Sequence, residues 1–146
     1  MINVLITGAN RGLGLGFVKK YLEKNVHVLC TTRDISGSKE LLECKERYPN
    51  NIEIFELDLL KENGAETLAN QLNGMPIDIL INNAGVGSSN QHFEAVSSKP
   101  WLEVLKVNLI APLIITQSLF ENVKKSSAKK IYFLSSQLGS IGDNTS

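Results

Sequence analysis

The chain has 146 residues, of which 42% are hydrophobic and 21% charged, and its formal net charge is zero. This length and composition fit one globular domain, residues 1–146, with a buried core. A neutral chain without a basic cluster does not favour nucleic acid or a membrane surface as a partner, and its apolar runs are too short to cross a bilayer.

Segments with a strand pattern alternate with segments of helical apolar spacing along the chain. We predict strands at residues 2–6, 26–31, 52–57, 77–81 and 130–135. We predict helices at residues 13–24, 38–48, 62–72 and 100–123. This alternation, with right-handed crossovers, predicts an α/β fold: a doubly wound parallel sheet of order 3-2-1-4-5 between two helical layers. The winding reverses between the first and fourth strands, so a ligand should lie above their carboxyl ends.

A glycine-rich segment, Thr7-Gly8-Ala9-Asn10-Arg11-Gly12-Leu13-Gly14, joins the first strand to the first helix. Glycines let the backbone approach a phosphate, and the N–H groups of the following helical turn point at the anion. The spacing Gly-x-x-x-Gly-x-Gly resembles the nucleotide loop of the short-chain dehydrogenase/reductase family. Glycines also occur in turns that bind nothing, so the assignment depends on the rest of the chain. From the resemblance we expect these loop residues to bind a dinucleotide: Gly8, Asn10, Arg11, Gly12, Leu13 and Gly14.

The end of the second strand, Thr31-Thr32-Arg33-Asp34, should select between NAD and NADP. A carboxylate here accepts both ribose hydroxyls, whereas a guanidinium binds a 2′-phosphate. Asp34 lies about twenty residues past the loop, which keeps NAD open. In the family's pattern, however, Thr32 fills the carboxylate position, and Arg33 and Arg11 resemble the cations of NADPH-preferring members. Alternatively, both arginines are solvated surface charges.

Two further strand ends resemble family motifs. After the third strand, Asp58 and Leu59 match a position that contacts adenine, although Asp58 could instead be the N-terminal carboxylate of the next helix. After the fourth strand comes Asn-Asn-Ala-Gly, whose adjacent amides need hydrogen-bond partners next to a buried strand. In the family this motif steadies the sheet and lines the cofactor pocket, which implies cofactor roles for Asn83, Ala84 and Gly85.

The predicted helix 100–123 contains Asn108 and Pro112. Proline has no N–H, so a continuous helix would leave the carbonyl of Asn108 without its partner. The resemblance implies that Asn108 bends the helix and that its main-chain carbonyl holds a water molecule of a proton relay; the alternative is a plain kink. The helix also carries an apolar stripe that could support a homo-oligomer: Trp101, Leu105, Leu109 and Leu113.

The fifth strand ends in two serines, and the resemblance selects Ser136 as the catalytic serine because it lies three residues before Gly139. Its hydroxyl would hydrogen-bond a substrate carbonyl oxygen. Family members also use a tyrosine and a lysine four residues later. Here Tyr21, Tyr48 and Tyr132 are followed at that place by Asn, Ile and Ser, and we expect Tyr132 to be buried.

The resemblance therefore implies an NADPH-dependent short-chain oxidoreductase that reduces a ketone or aldehyde, closest in its motifs and in residues 139–146 to the sniffer-type carbonyl reductases. Without the tyrosine and lysine we expect no activity from this chain alone, which would correspond to the first half, or somewhat more, of a family member. The alternatives are a non-catalytic NADP-binding regulatory module and an incomplete gene product. The fifth strand would be an exposed apolar edge, so we expect a marginally stable or aggregation-prone chain.

The two cysteines, Cys30 and Cys44, lie outside any CxxC motif or histidine cluster. We expect them to be structural thiols of a cytoplasmic protein without a metal site.

Overall fold

The computed structural model describes residues 2–87, 94 and 97–142 of the chain; the last four residues of the predicted sniffer-like tail lie outside them. The strands are β1 (Asn3–Ile6), β2 (His27–Thr32), β3 (Ile52–Glu56), β4 (Ile79–Asn82) and β5 (Lys130–Phe133). The α-helices are α1 (Gly12–Leu22), α2 (Lys39–Arg47), α3 (Gly64–Leu72), α4 (Ser98–Leu105), α5 (Ala111–Ser118) and α6 (Phe120–Lys125).

The five strands form one parallel sheet of order β3-β2-β1-β4-β5, which confirms the predicted doubly wound α/β fold. The central strand β1 places Ile6 opposite Cys30 of β2 and Ile81 of β4. Side chains of α1 and α2 form the core on one face of the sheet, and side chains of α3, α5 and α6 form the core on the other. Because both faces are covered, β1 consists almost entirely of buried apolar residues.

The helix predicted at residues 100–123 is divided into α4, α5 and α6, and the irregularity expected from Asn108 and Pro112 falls at the first division. A π-helical turn, Lys106–Ile110, separates α4 from α5, and the N–H of Ala111 donates to the carbonyl of Lys106, five residues back. The turn lies where Pro112 cannot donate to the carbonyl of Asn108, so the wider hydrogen-bonding pattern accommodates the missing N–H. A second break occurs at Leu119, whose φ of −102° lies outside the helical region.

The expectation that Tyr132 is buried is wrong, because 48% of this residue is exposed. Within the described part of the chain, β5 pairs with β4 on one side and lies at the edge of the sheet. The predicted apolar stripe on the helices is exposed as well: Leu109 is 62% exposed, whereas Val107 and Ile115 face the core. No helix in the described residues is long and apolar enough to cross a membrane.

Candidate functional site

The turn between β1 and α1 uses glycines both for backbone conformation and for close packing. Gly8 and Gly12 have φ angles of +63° and +55°, which side chains rarely adopt. A Cβ on Gly14 would lie 2.5 Å from Nδ2 of Asn83, and a Cβ on Gly8 would lie 2.8 Å from Cα of Ala84. The turn is therefore packed directly against the residues that follow β4.

A hydrogen-bond network fixes this contact. The hydroxyl oxygen of Thr7, which is buried, accepts the main-chain N–H groups of Asn83 and Ala84, each at 3.0 Å. Nδ2 of Asn83 donates to the carbonyls of Thr7 and Gly8, at 2.8 and 3.1 Å. Sequence reasoning overlooked Thr7; the available signal was a hydroxyl at the end of a buried strand, which needs a partner.

The N-terminus of α1 is left open by its own sequence. Arg11 is the N-cap residue in an extended conformation, no side chain caps the helix, and its first turn carries no acidic residue. The first N–H groups of a helix have no acceptor within it, and they form the positive end of its dipole. A glycine turn that brings the backbone close to this end can bind a phosphate.

The open helix end faces a cleft of about 970 Å³ above the carboxyl ends of the central strands. Its wall contains each of the predicted cofactor-binding residues: Gly8, Asn10, Arg11, Gly12, Leu13, Gly14, Arg33, Asp58, Leu59, Asn83, Ala84 and Gly85. Their contact with a cofactor stays a prediction. Sequence reasoning overlooked the wall from α4 and the π-helical turn, which is made by Pro100, Glu103, Val104 and Val107. These residues occupy an ordinary helical pattern without a recognisable motif.

The cleft wall carries charged side chains of both signs: two arginines and three carboxylates, Asp34, Asp58 and Glu103. The guanidinium-bearing residues Arg11 and Arg33 both line it, and both are exposed. Among the residues that the structure describes, no carboxylate forms an ion pair with either of them. Two guanidiniums that line one cleft can bind an additional phosphate of a ligand.

Asp34 uses its carboxylate within its own turn. Oδ1 of Asp34 accepts the Ser36 hydroxyl at 2.7 Å and the N–H of Gly37 at 3.1 Å. These two donors lower the pKa of the Asp34 carboxyl, with the Ser36 hydroxyl as the larger cause. Asp34 therefore remains ionised but is engaged locally.

Asp58 also bonds locally: its Oδ1 accepts the N–H of Leu60 at 3.0 Å. The following helix α3 begins at Gly64 and has Asn63, not Asp58, as its N-cap residue, without a side-chain hydrogen bond. The alternative role of Asp58 as a carboxylate in the first turn of that helix is therefore wrong, because the helix begins later than the residue 62 predicted from sequence.

Two asparagines fasten the helical wall to the end of β4. The side chain of Asn108 accepts the N–H of Val86 at 2.9 Å and donates to the carbonyl of Val86 at 2.8 Å. Nδ2 of the buried Asn82 donates to the hydroxyl of Thr116 on α5, at 3.2 Å. Asn108 itself does not appear in the cleft wall, but it holds Val86, which does.

Ser136 follows β5 on the side of the sheet where the strands have their carboxyl ends. It is exposed and is not part of the cleft wall. Its carbonyl accepts the N–H of Gly139 at 2.9 Å, within a short 3₁₀ turn. The predicted catalytic roles of Asn108 and Ser136 stay predictions. In the described part of the chain, no group of three His, Cys, Asp or Glu side chains is placed to hold a metal ion.

Known proteins are similar to this chain in sequence and in fold. A family model described as short chain dehydrogenase matches residues 2–145. A 3-oxoacyl-(acyl-carrier-protein) reductase from Buchnera aphidicola is 30% identical over 141 residues, which cover 95% of this chain and 56% of that protein. The chain thus spans little more than half the length of this curated relative.

Solved structures give the same result. The NADPH-bound carbonyl reductase from chicken fatty liver has a TM-score of 0.85 and 35% identity, over 97% of this chain and 62% of that one. The carbonyl reductase Sniffer of D. melanogaster has a TM-score of 0.88 and 32% identity, over 99% of this chain and 65% of that one. The predicted resemblance to sniffer-type carbonyl reductases is confirmed, and the chain belongs to the short-chain dehydrogenase family.

Proposed function

We propose that residues 1–146 are the NADPH-binding domain of an oxidoreductase that reduces ketones or aldehydes by hydride transfer. The observation that carries this proposal is the uncapped N-terminus of α1, which opens into one cleft together with Arg11 and Arg33, neither of which forms an ion pair with the described residues. The NADPH-bound carbonyl reductase from chicken supports it, because that chain is 35% identical in an alignment that covers 97% of the present chain.

Each part of the cleft suits one part of the nucleotide. The first turn of α1 would bind the pyrophosphate through main-chain N–H groups, and Arg11 and Arg33 would bind the 2′-phosphate. Asp58 and Leu59 would contact the adenine, and the segment Asn83 to Gly85 would line the path toward the nicotinamide. Bound NADPH would supply the hydride for the carbonyl carbon of the substrate.

Two residues near the carboxyl edge of the sheet would act on the substrate side. The Ser136 hydroxyl would donate a hydrogen bond to the carbonyl oxygen as negative charge develops there. The main-chain carbonyl of Asn108, to which Pro112 cannot donate a hydrogen bond, would hold a water molecule of the proton relay. A tyrosine with a lysine four residues later would have to supply the proton, and none of the three tyrosines in this sequence has that lysine. We therefore propose binding without turnover by these residues alone, which is also what a regulatory NADP-binding module would do.

The test is a titration with NADPH followed by a carbonyl-reduction assay with a panel of small ketones and aldehydes. We expect saturable binding that enhances the fluorescence of the reduced nicotinamide, and no steady-state oxidation of NADPH. The Arg11→Ala and Arg33→Ala variants should bind NADPH more weakly, with a smaller effect on NADH. Absence of NADPH binding would contradict the nucleotide site, and turnover would contradict the requirement for the tyrosine and lysine.

The proposal includes three further expectations, which concern the partner, the compartment and the oligomeric state of the protein. Its partner would be a small carbonyl compound, and its compartment would be the cytoplasm, where free thiols such as Cys30 and Cys44 persist. The exposed apolar stripe that includes Leu109 and Leu113 would support a homo-oligomer. Sedimentation analysis of the wild type and of a Leu109→Lys variant tests this last point, since a monomeric wild type would contradict it.

A further inference from the structure

The carboxylate of Asp34 has three possible partners in a nucleotide-binding cleft. It could accept the hydroxyls of an adenosine ribose, it could pair with the neighbouring guanidinium of Arg33, or it could bond to its own turn. The structure shows the third arrangement, since the hydroxyl of Ser36 and the N–H of Gly37 both donate to Oδ1. Within the described residues, neither Arg33 nor Arg11 forms an ion pair with Asp34.

A buried pair of hydroxyls holds the same turn from the inside. Thr32 and Ser38 are 2% and 3% exposed, and their hydroxyl oxygens lie 3.0 Å apart. Both hydroxyls also lie within hydrogen-bond distance of the Asp34 carbonyl. The three oxygen–oxygen contacts of this cluster have only two hydroxyl protons to share, so neither hydroxyl has a proton left to donate to a ligand. Its effect is to fix the main chain of Asp34, and with it the position from which Arg33 projects.

Gly37 makes room for the carboxylate. A Cβ at this position would lie 2.5 Å from Oδ2 of Asp34, which is closer than real Cβ contacts allow. The φ angle of Gly37 is not in the left-handed region, so an alanine would meet this steric conflict without backbone strain. At this position glycine thus leaves room for the folded-back carboxylate, which an alanine would push aside, and the conformation of the turn does not itself need a glycine.

We propose that Asp34 is a positioning residue for recognition of the 2′-phosphate: its carboxylate closes the turn of residues 34–38 and is thereby kept from neutralising Arg33. This inference rests on the proposed NADPH site. A ribose-binding carboxylate would favour NADH over NADPH. Here the carboxylate instead supports the binding of NADPH and contributes little to the binding of NADH. Bonding within the turn also keeps the negative charge fixed when the phosphate arrives.

The experiment measures dissociation constants for NADPH and NADH in four single variants, one double variant and the wild type, by nicotinamide fluorescence and calorimetry. In Asp34→Ala the turn loosens and Arg33 must be ordered on binding, so NADPH affinity should fall about tenfold while NADH affinity changes less than about twofold. Asp34→Asn keeps the acceptor oxygen, so it should retain NADPH affinity to within about threefold. Glu46→Ala, which removes an exposed carboxylate from α2, is the matched control and should behave as wild type.

Gly37→Ala tests the geometry with the carboxylate still present. The added methyl should displace the carboxylate from the turn toward Arg33, so NADPH affinity should again fall about tenfold, with NADH affinity nearly unchanged. In the double variant Asp34→Ala with Gly37→Ala the methyl has nothing to displace, so the loss should equal that of Asp34→Ala alone. Additive losses in the double variant would overturn the inference.

Three other results would also overturn it. If Asp34 binds ribose hydroxyls, Asp34→Ala will weaken NADH and strengthen NADPH. If Asp34 acts only as a repelling charge, Asp34→Asn and Asp34→Ala will strengthen NADPH equally. If the wild type prefers NADPH and Asp34→Ala leaves that preference unchanged, the inference fails while the proposed function stands. A wild type that binds neither nucleotide would remove both.

Discussion

Thr7 and Asn83 each bind the main chain of the other: the Asn83 side-chain amide donates to the Thr7 carbonyl at 2.8 Å, and the Asn83 N–H donates to the Thr7 hydroxyl at 3.0 Å. The two residues lie at the carboxyl ends of β1 and β4, the point at which the winding of the sheet reverses. This reciprocal pair therefore holds the glycine turn at the mouth of the cleft.

The Thr7→Val substitution should destabilise the fold. Valine keeps the shape of threonine but leaves the N–H groups of Asn83 and Ala84 without their side-chain acceptor in a region where Thr7 is 1% exposed. We expect the free energy of unfolding in urea to fall by about 1–3 kcal/mol. Thr67→Val, at an exposed position of α3, should change it by less than about 0.5 kcal/mol. Equal stability of the Thr7 and Thr67 variants would contradict the role of the hydroxyl.

Two glycines of α1 should respond oppositely to alanine. At Gly14 the new Cβ would lie 2.5 Å from Nδ2 of Asn83, so Gly14→Ala should displace the amide, lower the melting temperature and weaken NADPH binding. At Gly16 no atom lies within 4 Å of the new Cβ, so Gly16→Ala should stabilise the helix by up to about 1 kcal/mol. Thermal denaturation and nucleotide titration of both variants check this, and similar effects at the two positions would refute the packing argument.

Substitution of Asn108 should separate its two hydrogen bonds to Val86. Asn108→Ala removes both, so the Val86 amide should exchange with solvent faster, as measured by NMR. Asn108→Asp keeps the acceptor for the Val86 N–H and loses the donor to its carbonyl, so this amide should remain protected. The loss in unfolding free energy should be about 0.5–1.5 kcal/mol for each bond removed. Unchanged exchange at Val86 in the alanine variant would show that the contact is absent in solution.

Because the thiol of Cys30 is buried, the free energy of unfolding should depend on pH in the alkaline range. Burial raises the pKa of this thiol, so the folded state keeps its proton when the unfolded state has lost it. The contribution of the Cys30 thiol to the free energy of unfolding is therefore fully present below its pKa in the unfolded chain, about 8.5, and is progressively lost as the pH rises above that value. Urea denaturation from pH 7 to 10 should show this decline, and Cys30→Ala should reduce its slope.

The same burial protects the thiol from reagents. Iodoacetamide at pH 8 should leave Cys30 unmodified in the folded protein and should modify it in urea, as shown by mass spectrometry. Rapid alkylation of Cys30 in the native state would indicate that the core between β2 and α2 opens readily.

The helical region at residues 100–123 shows where local pattern stops being sufficient. Apolar spacing correctly placed a helical region around residues 100–123, and Pro112 marked the point where regular hydrogen bonding could not continue. Spacing could not reveal that the chain would insert a π-helical turn here, or that the Asn108 side chain on this turn would bond to Val86 in a different segment. The burial expected for Tyr132 failed because it assumed a covered strand, although the predicted strand order already placed the fifth strand at the edge of the sheet.

The strand order and the place of the cleft follow from the amino-acid pattern, because alternating apolar periodicities, glycine turns and the handedness of crossovers are local or nearly local constraints. The same pattern also brought the cofactor-binding candidates to one edge, since the carboxyl ends of parallel strands meet there. The tertiary structure alone decided which polar groups are already engaged. The carboxylate of Asp34 can accept either the hydroxyls of a ligand or the donors of its own turn, and the amide of Asn83 can bind either a ligand or main-chain carbonyls after β1. Sequence leaves both alternatives open, because which bond forms depends on distances and angles that only the folded backbone sets.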